Sequence, residues 1–375
     1  MGLPMRVLLY DSSGHFPGPL FLEALEQMTA RPGGGLTCRF VDQGAFTDHR
    51  NSLGIRVLRR LLRRSAVDIQ GLNREFGRAC EEFQPDLILV CKGAFLLPDT
   101  LKRAKEKTGA VLVNYATDDP FNRRVSTPYL LESIPLYDLY ACTKRAIISD
   151  VERAGCARAV HVPFGYKPEV HFKEEPQNER ERERFAQDVV FIGGCDRDRV
   201  PFFRELIRAL PNLRLALYGG YWNRWPLFRK YWRGFAVGRD FRLALSGAKI
   251  AINLVRRANR DDHVMRTFEI PACGGVLLNE RTHFHLETFR ENVEALYFES
   301  PEEMVSKVRV LLDDQPLRER LRMAAYNTVR SISATYCDRL RTLLDLAMAS
   351  KWPPQNLRAR TQSDRARDVL LLGKH

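Results

Sequence analysis

The sequence HVMRTFEIPACGGVLLNE, residues 263–280, decides the fold class of this chain. A charged segment leads into a helix-like stretch that contains Glu269, a glycine pair follows, and a continuous apolar run comes next. This order predicts a helix over 264–272, a break at Gly274 and Gly275, and a buried parallel strand. Because the start of a helix carries partial positive charge, we expect Glu269 and the start of this helix to face a ligand with hydroxyl and phosphate groups.

The rest of the chain alternates strand-like and helix-like segments in two successive series. In the first series, apolar runs such as 87–91 predict buried strands, and segments with helical spacing separate them. A charged, apolar-poor stretch over 171–187 interrupts the alternation, and a second series begins at 189. Strands that alternate with helices predict a doubly wound parallel sheet in each half.

Length and composition are consistent with a two-domain protein. A chain of 375 residues is too long for one ordinary core, and 45% hydrophobic residues are enough to build two. No apolar run reaches the roughly 18 residues of a membrane span, and the N-terminus lacks the apolar region of a signal peptide. The eight cysteines include no CxxC pair and predict reduced, mostly buried thiols. We therefore expect a cytoplasmic protein.

The net charge of +13 is partly local, in an arginine-rich segment over 50–64 and in the tail from 351. Leucines and valines at helical spacing between these arginines favour a solvated amphipathic helix. The alternative is a basic surface for nucleic acid, anionic lipid or a polyanionic acceptor. No specific nucleic-acid motif accompanies the charge. Peripheral contact with the inner membrane face therefore stays open.

The string RTFEIPACGG, residues 266–275, resembles the donor-site signature of the CgeB-like (spore-maturation type) glycosyltransferases. This family is related to the group-1 glycosyltransferases and has the GT-B fold, in which two Rossmann-like doubly wound domains face a central cleft. The resemblance is strong over 188–345, moderate over 85–175 and slight over 20–84.

The resemblance implies a domain plan. An N-terminal Rossmann-like acceptor-binding domain covers 1–170, and a charged linker covers 171–187. A C-terminal Rossmann-like nucleotide-sugar-binding domain covers 188–332. A helix over 333–350 then crosses back to the N-terminal domain, and a basic, flexible tail covers 351–375.

It also implies a donor site in the C-terminal domain. Glu269 would accept hydrogen bonds from a ribose diol, each worth about 1.5–3 kcal/mol, and Arg266 with the helix start would hold the diphosphate. Group-1 relatives carry another glutamate eight residues earlier, where this chain has the shorter Asp261, expected to contact acceptor or phosphate. Tyr218 or Trp222 would stack on the base, or either could belong to the core. The remaining expected donor-site residues are Gly193, Gly194, Arg199, Gly219, His263, Gly274 and Gly275.

The expected acceptor and catalytic residues lie in the N-terminal domain. His15 could act as a base towards an acceptor hydroxyl or be an ordinary surface residue. Asp118 and Asp119 resemble the Asp-Asp-Pro element of the family, with a DxD-like metal site or an Asx-type turn as alternatives. Gly14 and Lys92 are expected near acceptor or phosphate. His283 and His285 are expected in a loop or strand end, not in a metal pair.

These residues together predict a glycosyltransferase that moves a sugar, of the hexose type, from a nucleotide-diphosphate sugar to an unidentified saccharide, lipid-linked, protein or other acceptor. Neither a metal nor a cofactor beyond this co-substrate is expected, and retention is slightly favoured over inversion. The alternative is a non-catalytic GT-B module that binds an anionic polymer, a membrane surface or nucleic acid, which the Asp261 departure favours. A GT-B epimerase or phosphorylase is a third option without a supporting lysine-rich element.

Overall fold

The computed structural model describes residues 4–12, 17–30, 35–47 and 69–351. The chain divides into two compact units, of which unit 1 comprises residues 1–163 with 336–375 and unit 2 comprises 164–335. The division falls at Pro163 and Phe164, whereas the sequence analysis set the first domain's end at 170 and a linker over 171–187. The arginine-rich segment 50–64, the tail beyond 351, Gly14 and His15 lie outside the described residues.

Unit 1 is built on a parallel sheet of six described strands in the order β2-β1-β3-β4-β5-β6. The strands are β1 Met5–Asp11, β2 Leu36–Asp42, β3 Leu87–Cys91, β4 Val111–Ala116, β5 Leu139–Cys142 and β6 Ala159–His161. The first six described helices are α1 Gly18–Thr29, α2 Gly44–Thr47, α3 Ile69–Phe83, α4 Pro98–Thr108, α5 Pro128–Ser133 and α6 Ile148–Arg153.

The unit 1 sheet is buried on both faces, as continuous apolar strands require. Successive residues of β1 point to opposite sides, so that Val7 and Leu9 enter one core cluster and Leu8 and Tyr10 enter the other. This arrangement explains why the strands read as unbroken apolar runs rather than as alternating patterns.

Unit 2 contains a second parallel sheet, with five described strands in the order β11-β10-β9-β7-β8. Its strands are β7 Val189–Ile192, β8 Leu215–Tyr218, β9 Ile250–Asn253, β10 Leu277–Glu280 and β11 Leu296–Phe298. Its described helices are α7 Glu179–Phe185, α8 Val200–Ala209, α9 Gly238–Gly247, α10 Arg266–Ala272, α11 His283–Thr288, α12 Pro301–Asp313 and α13 Gln315–Ser331.

The last described helix, α14 Tyr336–Lys351, returns to unit 1. Its residues Tyr336, Leu340 and Leu343 are buried in the same core cluster as Val7 and Leu9. Two Rossmann-like parallel sheets and a final helix that crosses back confirm the predicted GT-B fold class.

Some local predictions were wrong. His283 and His285 lie in helix α11, not in a loop or strand end, because Thr282 caps it by accepting a hydrogen bond from the His285 backbone N–H. Helix α13 ends at Ser331, where the next residue, Ile332, has an extended backbone with ψ of 150°, and α14 begins at Tyr336. Within the described part of the chain, no helix combines the length and the apolar character that crossing a bilayer requires.

Candidate functional site

Glu269 is a buried carboxylate in the first turn of α10, with only 5% of its surface exposed. One oxygen, Oε2, accepts a hydrogen bond from Nη1 of Arg266. The other, Oε1, lies 3.3 Å from Nε2 of His171. The structure therefore holds this carboxylate between two basic side chains rather than leaving it as a solvated helix residue.

His171 is a member of the site that sequence reasoning missed. Its Nδ1 accepts a hydrogen bond from the Lys167 backbone N–H at 3.0 Å, so the proton of the neutral ring lies on Nε2, which faces Glu269. Burial lowers the pKa of His171, although the Glu269 charge opposes this effect. His171 thus faces the carboxylate as a neutral N–H donor. Because it comes from a distant segment without regular structure, no local sequence pattern identified it.

Arg266 connects α10 to the carboxyl end of β7. Its Nε donates to the Ile192 carbonyl oxygen at 3.1 Å, and its guanidinium lies 4.6 Å from the centre of the Phe241 ring. The ring supports the charge by a cation–π contact. Arg266 is thereby fixed beside Gly193, the first residue after β7.

The start of α10 offers fewer free amides than the sequence analysis assumed. The backbone N–H groups of Thr267, Phe268 and Glu269 already donate to carbonyl oxygens of Val264 and Met265. In the described chain, the N–H groups of Met265 and Arg266 have no protein acceptor. Two amide donors therefore remain at this helix start for an anionic group.

The glycines after β7 and β8 let two loops touch through their backbones. Gly219 has φ of +120°, and a Cβ on it would lie 2.5 Å from the Gly193 carbonyl oxygen. The Gly193 N–H in turn donates to the Tyr218 carbonyl oxygen at 2.9 Å. Around Gly194 the nearest atom to an added Cβ would be the Gly220 carbonyl oxygen at 3.7 Å, so a ligand can approach this backbone.

Arg199 is buried and has a bracing role in this structure. Its Nη1 donates to the Gly194 carbonyl oxygen at 2.9 Å and its Nη2 to the Leu254 carbonyl oxygen at 3.0 Å. Burial lowers the pKa of the Arg199 guanidinium, and nearby carboxylates including Asp261 oppose the effect. Asp261 also accepts a hydrogen bond from Asn259 Nδ2 at 2.9 Å. Arg199, which was expected in the donor site, therefore fixes the ends of β7 and β9 relative to each other.

The aromatic side chains expected to stack on a base are buried. Tyr218 is 2% exposed, and Trp222 is fully buried, packs edge-on against Phe191 and donates its indole N–H to the Gly193 carbonyl oxygen at 2.8 Å. The structure thus adopts the core alternative for Trp222. The exposed aromatic rings of this region are Tyr221 and Phe235.

His263, another residue expected in the donor site, is fully buried, and its contacts are with other residues than Glu269 in the described hydrogen bonds. Its Nε2 accepts the Phe164 backbone N–H at 3.1 Å, and its ring stacks on Phe284 at 3.8 Å. Its Nδ1 lies 2.6 Å from Asp262 Oδ1. These contacts order the segment that leads into α10.

Gly274 and Gly275 form the turn at the other end of α10. Gly274 has φ of +72°, and a Cβ on Gly275 would lie 2.9 Å from the Ile270 side chain. The pair therefore permits the tight return from helix to strand β10. The two glycines follow Glu269 by five and six residues, after the end of α10 at Ala272.

A buried polar network contacts α10 through the side chain of Thr267. Asn253 Nδ2 donates to Thr267 Oγ1 at 3.2 Å and to Asn279 Oδ1 at 2.9 Å. Thr267 Oγ1 also lies 2.9 Å from His285 Nε2, and His285 Nδ1 lies 2.7 Å from the Glu280 carbonyl oxygen. Burial lowers the pKa of His285 to about 4, so its ring is neutral and its two nitrogens have fixed donor and acceptor roles. Sequence reasoning missed this network as well.

In unit 1, the adjacent carboxylates of Asp118 and Asp119 have different environments. Lys92 Nζ donates to Asp118 Oδ2 at 2.8 Å, and both side chains are partly exposed at the carboxyl edge of the sheet. Asp119 is buried, and its Oδ1 accepts the Phe121 backbone N–H at 2.9 Å in an Asx-type turn. The pair Lys92 and Asp118 is therefore the part of this motif that a ligand can reach.

Residues 197–345 match a family model described as "Glycosyl transferase-like". This match contains Arg266 and Glu269 but not His171, and it extends into the returning helix α14. It does not address the narrower CgeB-like resemblance, which stays a prediction. A search of curated proteins returned no match.

Several solved structures share the fold. HepE from Anabaena, solved in complex with UDP-glucose, aligns with a TM-score of 0.61 at 13% identity, covering 92% of this chain and 100% of that one. Sucrose-phosphate synthase from Thermosynechococcus elongatus aligns with a TM-score of 0.65 at 10% identity, covering 92% and 98%. The lipopolysaccharide outer core galactosyltransferase WaaB, in its apo form, aligns with a TM-score of 0.58 at 10% identity, covering 92% and 99%. At such low identities the likeness is one of fold, and it gives no support to the non-catalytic alternative.

Proposed function

We propose that this protein is a glycosyltransferase that binds a nucleotide-diphosphate sugar, of the UDP type, in unit 2 and transfers its hexose to an acceptor. The observation that carries the proposal is the Glu269 carboxylate, which is buried between Arg266 and His171. Glu269 and Arg266 lie in the segment that matches the glycosyl transferase-like family model. A buried carboxylate that depends on one arginine charge and one histidine N–H is costly to build for structure alone, since removing Arg266 would leave its charge uncompensated.

In this proposal Glu269 binds the ribose. The two carboxylate oxygens accept hydrogen bonds from the vicinal hydroxyls, and the Nε2–H of neutral His171 keeps Oε1 oriented. Each oxygen keeps its protein donor and accepts a further hydrogen bond from one hydroxyl, so a diol makes one more charge-assisted bond than a single hydroxyl does.

The diphosphate is held by donors around Arg266. Its Nη1 and Nε contact Glu269 and the Ile192 carbonyl oxygen, and Nη2 has no acceptor in the described chain. This group and the N–H groups of Met265 and Arg266 stabilise the charge that develops as the bond from the anomeric carbon to the diphosphate oxygen breaks. The acceptor oxygen forms the new bond to that carbon and loses its proton to a base.

The acceptor side of the proposal rests on unit 1. Asp118, paired with Lys92, and His15 are the proposed groups that orient or deprotonate the acceptor hydroxyl. Retention of configuration and independence from metal ions are further parts of the proposal, and activity that persists in EDTA would support the latter.

Calorimetric titration with UDP, UDP-glucose, GDP-mannose and dTDP-glucose tests the donor site. We expect UDP-glucose to bind, and Glu269→Ala to weaken it about 100-fold, since two hydrogen bonds to a charged group together contribute at least about 3 kcal/mol. Glu183→Ala, which removes an exposed glutamate of the same unit, should leave the affinity unchanged. Equal binding by wild type and Glu269→Ala, or no binding of any of the four ligands, would refute the proposal.

A further inference from the structure

The connection between β8 and α9, residues 219–237, is unusually long for an α/β unit, where about 2–6 residues are typical. It is also well anchored. Trp222, Phe228 and Tyr231 are buried in the unit 2 core, and Trp232 donates its indole N–H to the Gly219 carbonyl oxygen at 2.9 Å. We call these residues the β8–α9 loop. It is an ordered surface feature with its own core contacts.

Four large apolar side chains of the β8–α9 loop point to solvent. Val237 is 74% exposed, Phe235 69%, Tyr221 54% and Leu227 43%. Soluble monomers seldom expose several large apolar groups on one segment unless the surface binds something. The same loop buries three other aromatic residues in the unit 2 core, so a hydrophobic core is available next to it. The exposure of these four side chains is therefore not caused by the lack of a core.

The exposed polar residues of the loop are strongly biased towards positive charge. Between positions 206 and 239 the sequence contains no Asp or Glu. The basic side chains lie among the apolar ones: the Arg224 guanidinium is 4.3 Å from the Tyr221 ring centre, and Arg229 Nε donates to the Asn223 carbonyl oxygen at 3.0 Å. In the described part of the chain, none of the loop's four basic residues has a carboxylate partner. These residues are Arg224, Arg229, Lys230 and Arg233.

We propose that the β8–α9 loop docks this protein on an anionic lipid bilayer. Tyr221, Leu227, Phe235 and Val237 enter the headgroup region, where aromatic and aliphatic groups gain from partial burial, and the basic side chains contact the lipid phosphates. Lipid is favoured over nucleic acid because aliphatic side chains such as Leu227 and Val237 offer bases no stacking surface. The inference is independent of sugar transfer and concerns where the protein works.

Sedimentation with vesicles tests the docking surface. The full chain is incubated with vesicles of phosphatidylcholine alone or with 40% phosphatidylglycerol, at about 0.1 M salt where charge attraction is still effective. We expect binding to the anionic vesicles only. Because each basic residue near an anionic surface contributes roughly fivefold, Arg229→Glu with Lys230→Glu should lower the partition coefficient at least about 20-fold. Phe235→Ser with Val237→Ser should lower it about tenfold and increase its sensitivity to salt.

Matched variants elsewhere on unit 2 serve as controls. Arg320→Glu reverses an exposed charge on α13, and Met323→Ser removes a side chain that is 54% exposed on the same helix. Both should bind vesicles like wild type, and circular dichroism should show that every variant is folded.

Two results would overturn the inference. If both loop variants bind anionic vesicles as well as wild type, the attraction comes from the basic segments at 50–64 or beyond 351, which all variants retain. If the loop variants lose affinity for a labelled single-stranded oligonucleotide but not for vesicles, the surface binds nucleic acid instead.

Discussion

At the scale of single residues, the donor site consists of a locally encoded part and a part that only the fold assembles. Arg266 and Glu269 are three residues apart on one helix, so their string carried the resemblance and predicted a site. His171 reaches the same carboxylate from a segment nearly one hundred positions earlier, and histidine types are too common for composition to single it out. Proximity in space, which is set by tertiary packing, was the missing information.

The role assigned to His171 predicts a specific loss. His171→Ala should weaken UDP-glucose binding about tenfold, because Glu269 Oε1 loses its N–H donor and the carboxylate can turn towards Arg266. His171→Gln, which can still donate an N–H, should recover part of the affinity. Calorimetric titration measures both, with His283→Ala, at an exposed histidine, as the control. Unchanged affinity in His171→Ala would show that the histidine only fills space.

His285 predicts how the stability of unit 2 depends on pH. Its folded-state pKa of about 4 lies below the ordinary value near 6.5, so between these values the unfolded chain binds more protons than the folded one. The free energy of unfolding is therefore fully present above pH 6.5 and falls by up to about 3 kcal/mol as the pH drops to 4.

Urea denaturation followed by tryptophan fluorescence measures this effect, since Trp222, Trp225 and Trp232 all lie in unit 2. His285→Gln should be less stable than wild type at pH 7 by about 1–3 kcal/mol but should lose less between pH 7 and 5. The exposed-site variant His283→Gln should follow wild type. Equal free energies of unfolding for the wild type at pH 7 and pH 5 would contradict the assignment.

At the scale of elements, strands and helices could be predicted from the sequence where their local signals were strong. The strand Leu87–Cys91 has the bounds that its continuous apolar run predicted. The helix Pro98–Thr108 has equally clear signals, with Pro98 in its first turn and Gly109, which has φ of +64°, at its end. The strand Leu296–Phe298 was missed, since its burial depends on pairing with β10 and a run of three residues carries little periodic signal. The turn over 219–220 was predicted as a possible ligand loop, whereas its glycines also serve a backbone contact that only the structure reveals.

That backbone contact predicts the effect of Gly219→Ala. The added methyl group would meet the Gly193 carbonyl oxygen at 2.5 Å while the backbone has φ of +120°, so both a clash and strain arise. We expect a loss of about 3 kcal/mol or more in the free energy of unfolding of unit 2. Gly234→Ala is the matched control, because it has φ of +80° but no neighbour within 4 Å, and should cost only about 1 kcal/mol. Urea transitions of equal midpoint for the two variants would show that strain alone matters.

At the scale of the whole molecule, alternation of strands and helices predicted two Rossmann-like units and a returning helix, since each series needs its own parallel sheet. The place where the chain leaves unit 1 was harder to predict. Residues 164–187 belong to unit 2, where Arg242 pairs with Glu174 at 2.8 Å and Ser246 donates to the Glu174 carbonyl oxygen. The charged composition of this stretch is typical of a linker, but in the structure Glu174 pairs with residues of α9 and so packs the stretch against that helix.

The returning helix predicts that unit 1 depends on the end of the chain. Tyr336, Leu340, Leu343 and Ala347 are each no more than 2% exposed, and the three large side chains stabilise unit 1 by about 1.5–3 kcal/mol apiece. Their sum is comparable with the total stability of a domain, about 5–15 kcal/mol. Hydrogen exchange on the chain ended after residue 335 should therefore show lost protection in β4 and β5 of unit 1, while β7 and β9 of unit 2 remain protected. The chain ended after residue 351 keeps α14 and should match the full-length protein, so that slow exchange of β4 and β5 in both shortened chains would mean that unit 1 folds without its last helix.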